Sequence, residues 1–222
     1  FPFTLGHENV GVVEEVGGKG EGLSPGDRVV VDPLLSGRSR GIRVPCPFCQ
    51  EGRFHLCERV TDGDLSPGLM IGSCRDTGGS WGAYLVAHES QIYRVPSEIS
   101  DLQAVLIEPF ATALHGILRH PPGEGERVLI VGAGVIGICV LAALKALQFQ
   151  VKVVVLAKHP FQSEMAYRLG ADEVIRMGSG YVRDLARALG ATELRTLFGK
   201  PAIQGGADVV FECVGKDRSI DD

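Results

Sequence analysis

Seventeen consecutive uncharged residues, 128–144, constrain this chain more than any other stretch. They open on a β-type quartet, Val128-Leu129-Ile130-Val131, and turn through Gly132-Ala133-Gly134-Val135-Ile136-Gly137. An apolar run with helical character follows. Seventeen residues is near the lower bound for a membrane helix, but three glycines placed directly after four β-formers explain the run better as strand, glycine turn and helix. G-x-G-x-x-G in that setting has a physical use. Gly132 permits a tight turn, Gly134 lets backbone approach a pyrophosphate, and Gly137 lets helix and strand pack closely. Val135 and Ile136 begin the helix, whose free N–H groups and positive dipole end favour phosphate. A merely structural turn is the alternative.

The residues after this turn alternate in kind. Residues 127–131 read as a strand, 136–147 as a helix and 151–156 as a second strand buried on both faces. Residues 161–169 read as a helix closing at Gly170, 173–175 as a short strand, 181–189 as a helix ending at Gly190, and 208–213 as a fourth strand. The connection 191–207 has no legible shape. Such alternation predicts a doubly wound parallel sheet. Before it, the short β-type runs 10–16, 28–31 and 83–86 are separated by Gly, Pro and Asp, as in an antiparallel, loop-rich β domain. Ser100 can cap a helix over 101–107, and Pro109 can start another running to about Leu118. The turn-rich link Pro121-Pro122-Gly123-Glu124-Gly125 divides the chain into 1–122 and 123–222.

Charge narrows the partners. Lys+Arg 22 against Asp+Glu 27 gives a net charge of −5, with no bulk attraction to nucleic acid or an anionic membrane. The apolar share of 45% and charged share of 22% exclude wholesale disorder, collagen and a coiled coil. Phe1-Pro2-Phe3-Thr4-Leu5-Gly6 has no basic leader segment. Six cysteines without an export signal predict a reducing, cytoplasmic setting in which thiols bind metal or fill cores.

An NAD site usually places an acid about 20 residues beyond the glycine turn to bind the ribose 2′-OH. Here that position is Ala157, followed by Lys158 and His159. Without the carboxylate there is no repulsion toward a 2′-phosphate, and Lys158 can neutralise one. The pattern favours NADP over NAD; a solvated Lys158 with NAD is the alternative.

Further motifs run in order along the chain: Gly6-His7-Glu8 with Gly11 and Gly17, Pro25-Gly26-Asp27-Arg28-Val29, Gly82-Ala83-Tyr84, Glu108-Pro109-Phe110-Ala111-Thr112-Ala113-Leu114-His115-Gly116, and Leu169-Gly170-Ala171-Asp172. Together they resemble the zinc-dependent medium-chain alcohol dehydrogenase superfamily, with alcohol, sorbitol and threonine dehydrogenases as the nearest kinds. The resemblance implies an α/β chain: a partial GroES-like β-rich catalytic domain in 1–122, then a partial Rossmann domain in 123–222. The chain is therefore expected to be a fragment lacking both ends and inactive alone. Its sheet, stopping at 208–213, would expose an apolar edge.

The resemblance also implies a catalytic zinc held by His7, with Glu8 and Glu108 as carboxylate partners, direct or through water. The family's cysteine ligand upstream of Gly-His-Glu has no counterpart, because none of the six residues before His7 is Cys. Cys74, Cys139 and Cys213 read as core or loop thiols. Cys46-Pro47-Phe48-Cys49 with Cys57 forms C-x2-C-x7-C, where the family's structural zinc lobe has C-x2-C-x2-C-x7-C. Arg43 stands in place of the first cysteine and cannot ligate. A three-thiolate zinc lobe and a metal-free lobe both remain open.

The implied activity is hydride transfer between a small alcohol, polyol or aldehyde and NADP or NAD, by a protein that is a homo-oligomer when complete. Two rivals stay open: a zinc-independent quinone or enoyl reductase, and a dinucleotide-binding sensor without activity.

Overall fold

A computed structural model describes residues 4–18, 22–197, 201–216 and 219. The Phe1-Pro2-Phe3 stretch read for a leader lies outside the described residues, as do 198–200 of the unread connection. The chain divides into two units, Phe1–Glu108 and Pro109–Asp222.

In the first unit, β1 (Gly11–Val12), β2 (Arg28–Val31) and β3 (Ile92–Arg94) form an antiparallel sheet in that order, with Gly11 opposite Val29 and Val30 opposite Tyr93. Val30 is buried with Val95 and Ala104, and Val10, Ile99 and Ile107 pack around them. The turn into β2 is held by Asp27, whose carboxylate accepts the Ser24 N–H at 2.8 Å and the Arg94 guanidinium at 2.8 Å. The Ser24 amide and Arg94 hold that carboxyl below its ordinary range. Pro25-Gly26-Asp27-Arg28-Val29 is therefore a turn tied across to β3.

Two strand expectations are corrected here. The run 10–16 is strand only at β1. The run 83–86 forms no strand, although Tyr84 and Val86 have strand-type side chains. A groove of about 850 Å³ separates it from residues 9–17. β propensity without a ladder partner does not make a strand.

Residues 35–68 fold around one buried cation. Arg40 is fully buried, and its five N–H donors go to the carbonyls of Leu35, Asp62, Leu65, Ser66 and Gly68 at 2.8–3.3 Å. A guanidinium has five such donors, so this one is saturated. The same lobe carries α1 (Pro47–Gln50) and a 3-10 turn, Phe54–Leu56. The Arg53 and Arg38 guanidiniums lie 5.2 and 5.5 Å from the Phe48 and Phe54 ring centres.

Ser100 caps α2 (Asp101–Ala104) in a reciprocal box with Gln103. The single helix expected over 101–107 stops at Ala104, and α3 (Ile107–Arg119) starts anew. Proline fits only in a helix's first turn, so the restart places Pro109 there, with Glu108 beside it. The boundary between the two units falls within α3.

The second unit continues with β4 (Arg127–Val131), α4 (Val135–Ala146), β5 (Lys152–Ala157), α5 (Pro160–Arg168), β6 (Glu173–Arg176) and α6 (Tyr181–Leu189). A small antiparallel pair follows, β7 (Thr192–Leu194) and β8 (Ala202–Gln204), inside the connection whose shape was not legible. β9 (Val209–Glu212) then joins a parallel sheet ordered β6-β5-β4-β9. One face of it buries Val128, Ile130, Val153, Val155 and Ala157 against Val140, Leu141 and Leu144 of α4 and Ala166 of α5. The other buries Leu129, Val154 and Leu156 against Leu185, Ala188 and Leu189 of α6. Two covered faces are why these strands read as continuous apolar runs. Asp172 fixes the start of β6: its N–H donates to the Val153 carbonyl at 2.9 Å and its carboxylate accepts the Val153 N–H at 2.7 Å. No helix among the described residues is long and apolar enough to cross a membrane.

The Arg40→Met variant removes all five donors while keeping the buried aliphatic stem. It should lose about 3 kcal/mol of stability, with amide exchange accelerating across residues 35–68. An unchanged unfolding midpoint would show that the lobe does not depend on this cation.

Candidate functional site

His7 is seated by close backbone contacts. Gly6 has φ +94°, and a Cβ there would collide with the Trp81 indole. The Ser80 N–H donates to the Gly6 carbonyl at 3.0 Å, and the Trp81 N–H to that of Leu5 at 2.9 Å. Asn9 then ties the segment to the end of β2. Its Nδ2 donates to the carbonyls of His7 and Val31, each at 3.0 Å, and its Oδ1 accepts the Val31 N–H at 2.7 Å. Glu108 enters from the first turn of α3, where the helix dipole favours a carboxylate. The ligand-capable atoms of His7, Glu8 and Glu108 all lie within 4.8 Å of one another. His7 and Glu108 are half-buried, and Glu8 is exposed.

That donor set fits zinc. Imidazole nitrogen and carboxylate oxygen bind it at about 2.0–2.2 Å, so around a tetrahedral ion two donors stand roughly 3.4 Å apart, a spacing that atoms already within 4.8 Å of one another reach by side-chain rotation. Neither Asn9 nor Trp81 was singled out from the sequence. The adjacent pair Gly78-Gly79 was the available signal, since paired glycines mark places where backbones meet closely.

Cys46, Cys49 and Cys57 are buried, with their sulfurs within 4.8 Å of one another. Tetrahedral zinc thiolates at about 2.3 Å require sulfur separations of roughly 3.8 Å, which sulfurs already within 4.8 Å of one another can adopt as three corners by side-chain rotation. The N–H groups of Cys49 and Glu58 pull the Cys46 thiol pKa down. Burial, then the neighbouring Cys57, pushes Cys49 up to about 12. Arg43 is exposed, and no fourth His, Cys, Asp or Glu joins the group among the described residues.

In the second unit, Gly132 leaves β4 with φ +96°, and Gly134 is the N-cap of α4. A Cβ on Gly137 would overlap the Gly132 carbonyl. A Cβ on Gly134, in contrast, would meet nothing within 4 Å. The first intrahelical bond is Ile138 N–H to the Gly134 carbonyl at 2.9 Å, which leaves the amides of Val135, Ile136 and Gly137 without a partner inside the helix. Gly134 thus opens a cradle onto three amides, which fits a pyrophosphate. The cradle lies where strand order reverses between β4 and β9, the usual ligand crevice of such sheets. Beside it, the Glu212 carboxylate accepts the N–H groups of Val214 at 2.9 Å and Gly215 at 3.1 Å. Burial and then the Glu212 charge push the Cys213 thiol up to about 11, so it stays protonated at neutral pH.

At the end of β5, Ala157 is buried and offers no acid. The Gln162 side-chain oxygen accepts the N–H groups of Lys158 at 3.1 Å and His159 at 3.0 Å. The Lys158 side chain is exposed, and none of the ion pairs among the described residues includes it.

Residues 1–97 match the alcohol dehydrogenase GroES-like domain, and residues 135–222 match the zinc-binding dehydrogenase domain. The chain belongs to the zinc-binding medium-chain alcohol dehydrogenase family. It is 31% identical over 219 residues to L-threonine 3-dehydrogenase of Anaeromyxobacter sp. (strain Fw109-5), covering 99% of this chain and 55% of that protein. The structure of 2R,3R-butanediol dehydrogenase from Bacillus subtilis is 28% identical with a TM-score of 0.69, covering 96% of this chain and 52% of that one. A structure from Sinorhizobium meliloti bound to NADP is 28% identical with a TM-score of 0.72, covering 99% and 58%. The chain spans about half the length of the curated relatives it matches.

The Gly137→Ala variant forces the Gly132 carbonyl to move and should cost about 2 kcal/mol. Denaturant unfolding checks this; a midpoint equal to that of the unsubstituted chain would mean that the turn and helix are not in the tight contact described.

Proposed function

We propose that the protein carrying this chain is a zinc-dependent oxidoreductase that moves a hydride between a small alcohol or polyol, or the matching aldehyde or ketone, and NADP. The observation that carries this reading is the convergence of His7, Glu8 and Glu108 on one point. A zinc-independent quinone or enoyl reductase has no use for three such donors.

Bound at its site, zinc supplies Lewis acidity toward an alcohol or carbonyl oxygen, and the nicotinamide gives or takes the hydride. The chain's own residues do the rest. The His7 imidazole and the Glu8 and Glu108 carboxylates hold the metal, and Asn9 fixes the backbone from which His7 projects. The amides of Val135, Ile136 and Gly137 hold the pyrophosphate, with Gly132 and Gly134 clearing its approach. Lys158 neutralises a 2′-phosphate that a carboxylate at position 157 would repel. The NADP bound to the Sinorhizobium meliloti structure supports that preference. In the lobe, Cys46, Cys49 and Cys57 supply three corners of a structural zinc site, and Arg43 supplies none.

Zinc content and NADPH oxidation with a panel of aldehydes and ketones, measured on the protein and its His7→Ala variant, test the reading. The variant should lose about one equivalent of zinc and at least a hundredfold in turnover. Equal zinc in both proteins, or turnover indifferent to a chelator, would instead favour the zinc-independent reductase.

A further inference from the structure

Arg43 stands where a fourth cysteine would close the lobe, and that side of the lobe faces water. Arg43 and Val44 are exposed, whereas Cys46, Cys49 and Cys57 are buried. The chain leading into Arg43 is nonetheless held against the sulfurs through Gly37. The Gly37 carbonyl accepts the Ile42 N–H at 3.0 Å, its amide faces the Cys49 sulfur, and a Cβ on it would lie 3.8 Å from the Cys57 sulfur. The amides of Cys49 and Glu58 face the Cys46 sulfur. The lobe thus offers three sulfurs, two of them supported by N–H donors as thiolates on a metal need. Among the described residues no fourth His, Cys, Asp or Glu joins them. Phe48 and Phe54 pack against the cysteines, and the Arg53 and Arg38 guanidiniums lie over those two rings. Glu51 pairs with Arg53 at 3.3 Å, while no ion pair among the described residues includes Arg38.

We propose that Cys46, Cys49 and Cys57 hold zinc as an open site, whose fourth corner takes a small-molecule thiol in its thiolate form. The inference rests on the reading of the lobe as three corners of a zinc site. Zinc bound by protein side chains is tetrahedral, so three sulfurs leave one corner to fill. Three thiolates already outweigh the charge of the ion, which then attracts water weakly and a soft sulfur donor well. On binding, the thiol's S–H proton passes to solvent and its sulfur lone pair displaces water from the open corner; nothing is oxidised or reduced. The added negative charge falls one aromatic ring away from the Arg38 and Arg53 guanidiniums, which lowers its cost. A cysteine at position 43 would fill the corner from within the chain. Arg43, which cannot ligate, is the residue that keeps it open.

The test uses cobalt(II), a spectroscopic stand-in for zinc, bound without oxygen by the full chain carrying His7→Ala, so that the lobe alone loads. The near-ultraviolet sulfur-to-cobalt absorption counts thiolates. It is read during titration with 3-mercaptopropionate and, as the control without sulfur, with propionate. One cobalt per chain should bind, and adding Cys46→Ser should abolish that binding. The thiol should raise the absorption by about one third, from three thiolates to four, and propionate should leave it unchanged. Adding Arg43→Cys should give the higher absorption before any thiol is present and no rise afterwards. Saturating thiol that leaves the absorption of the cobalt-loaded chain unchanged overturns the open corner, because a donor of the chain then fills it. Loss of the cobalt to the thiol overturns it as well. A folded His7→Ala chain that binds no cobalt is a different result: it removes the three-corner reading itself, and the inference with it.

Discussion

No side chain can be fitted between Gly137 and the Gly132 carbonyl, nor between Gly6 and the Trp81 indole. Both candidate sites are built on such contacts. The first brings α4 down onto β4 and so fixes where the helix's free amides stand. The second presses the backbone that leads into His7 against Trp81 and the nearby Gly72 and Gly79, with Asn9 closing it against β2. Each contact removes rotational freedom from a functional group by steric exclusion, which hydrogen bonds then direct. The 30 glycines of this chain acquire a physical meaning in these places.

The two units meet their polar groups' needs differently. The second relies on a parallel sheet covered on both faces, and its few internal polar ties, such as Asp172 to Val153, lock strand register. The first has small cores and long loops, and it holds them with polar residues that reach across the chain: Asp27 to Arg94, Asn9 to Val31, and Arg40 to five carbonyls. A buried cation is costly unless every donor is satisfied. Arg40 meets that condition, and so gives the Cys46, Cys49 and Cys57 lobe an organising centre of protein atoms.

This difference explains what could be read in the sequence. β4, α6 and the turn between β4 and α4 were legible because strands buried on both faces leave unbroken apolar runs, and glycines mark where helices begin and end. β3 was missed because Tyr93 and Arg94 are exposed, which breaks any apolar pattern. The run 83–86 misled because propensity does not report whether a partner strand exists. β7 and β8 are three residues each and close a connection rich in Gly and Pro. His7, Glu8 and Glu108 were found through a resemblance, and the structure brings their ligand atoms together. Asn9 and Arg40 were not found, because a polar side chain bound to distant carbonyls leaves no periodic trace, and neither does the steric contact of Trp81 with Gly6.

Empty space at particular glycines is functional in this fold. Gly134 isolates that role, since its backbone, φ −76° and ψ −170°, suits any residue and a Cβ there touches nothing. The decisive measurement is NADPH affinity together with melting temperature for Gly134→Val. The expected result is a melting temperature within about 2 °C of the unsubstituted chain, with affinity reduced at least tenfold as the valine fills the pyrophosphate cradle. Undiminished NADPH affinity in a folded Gly134→Val chain would contradict it.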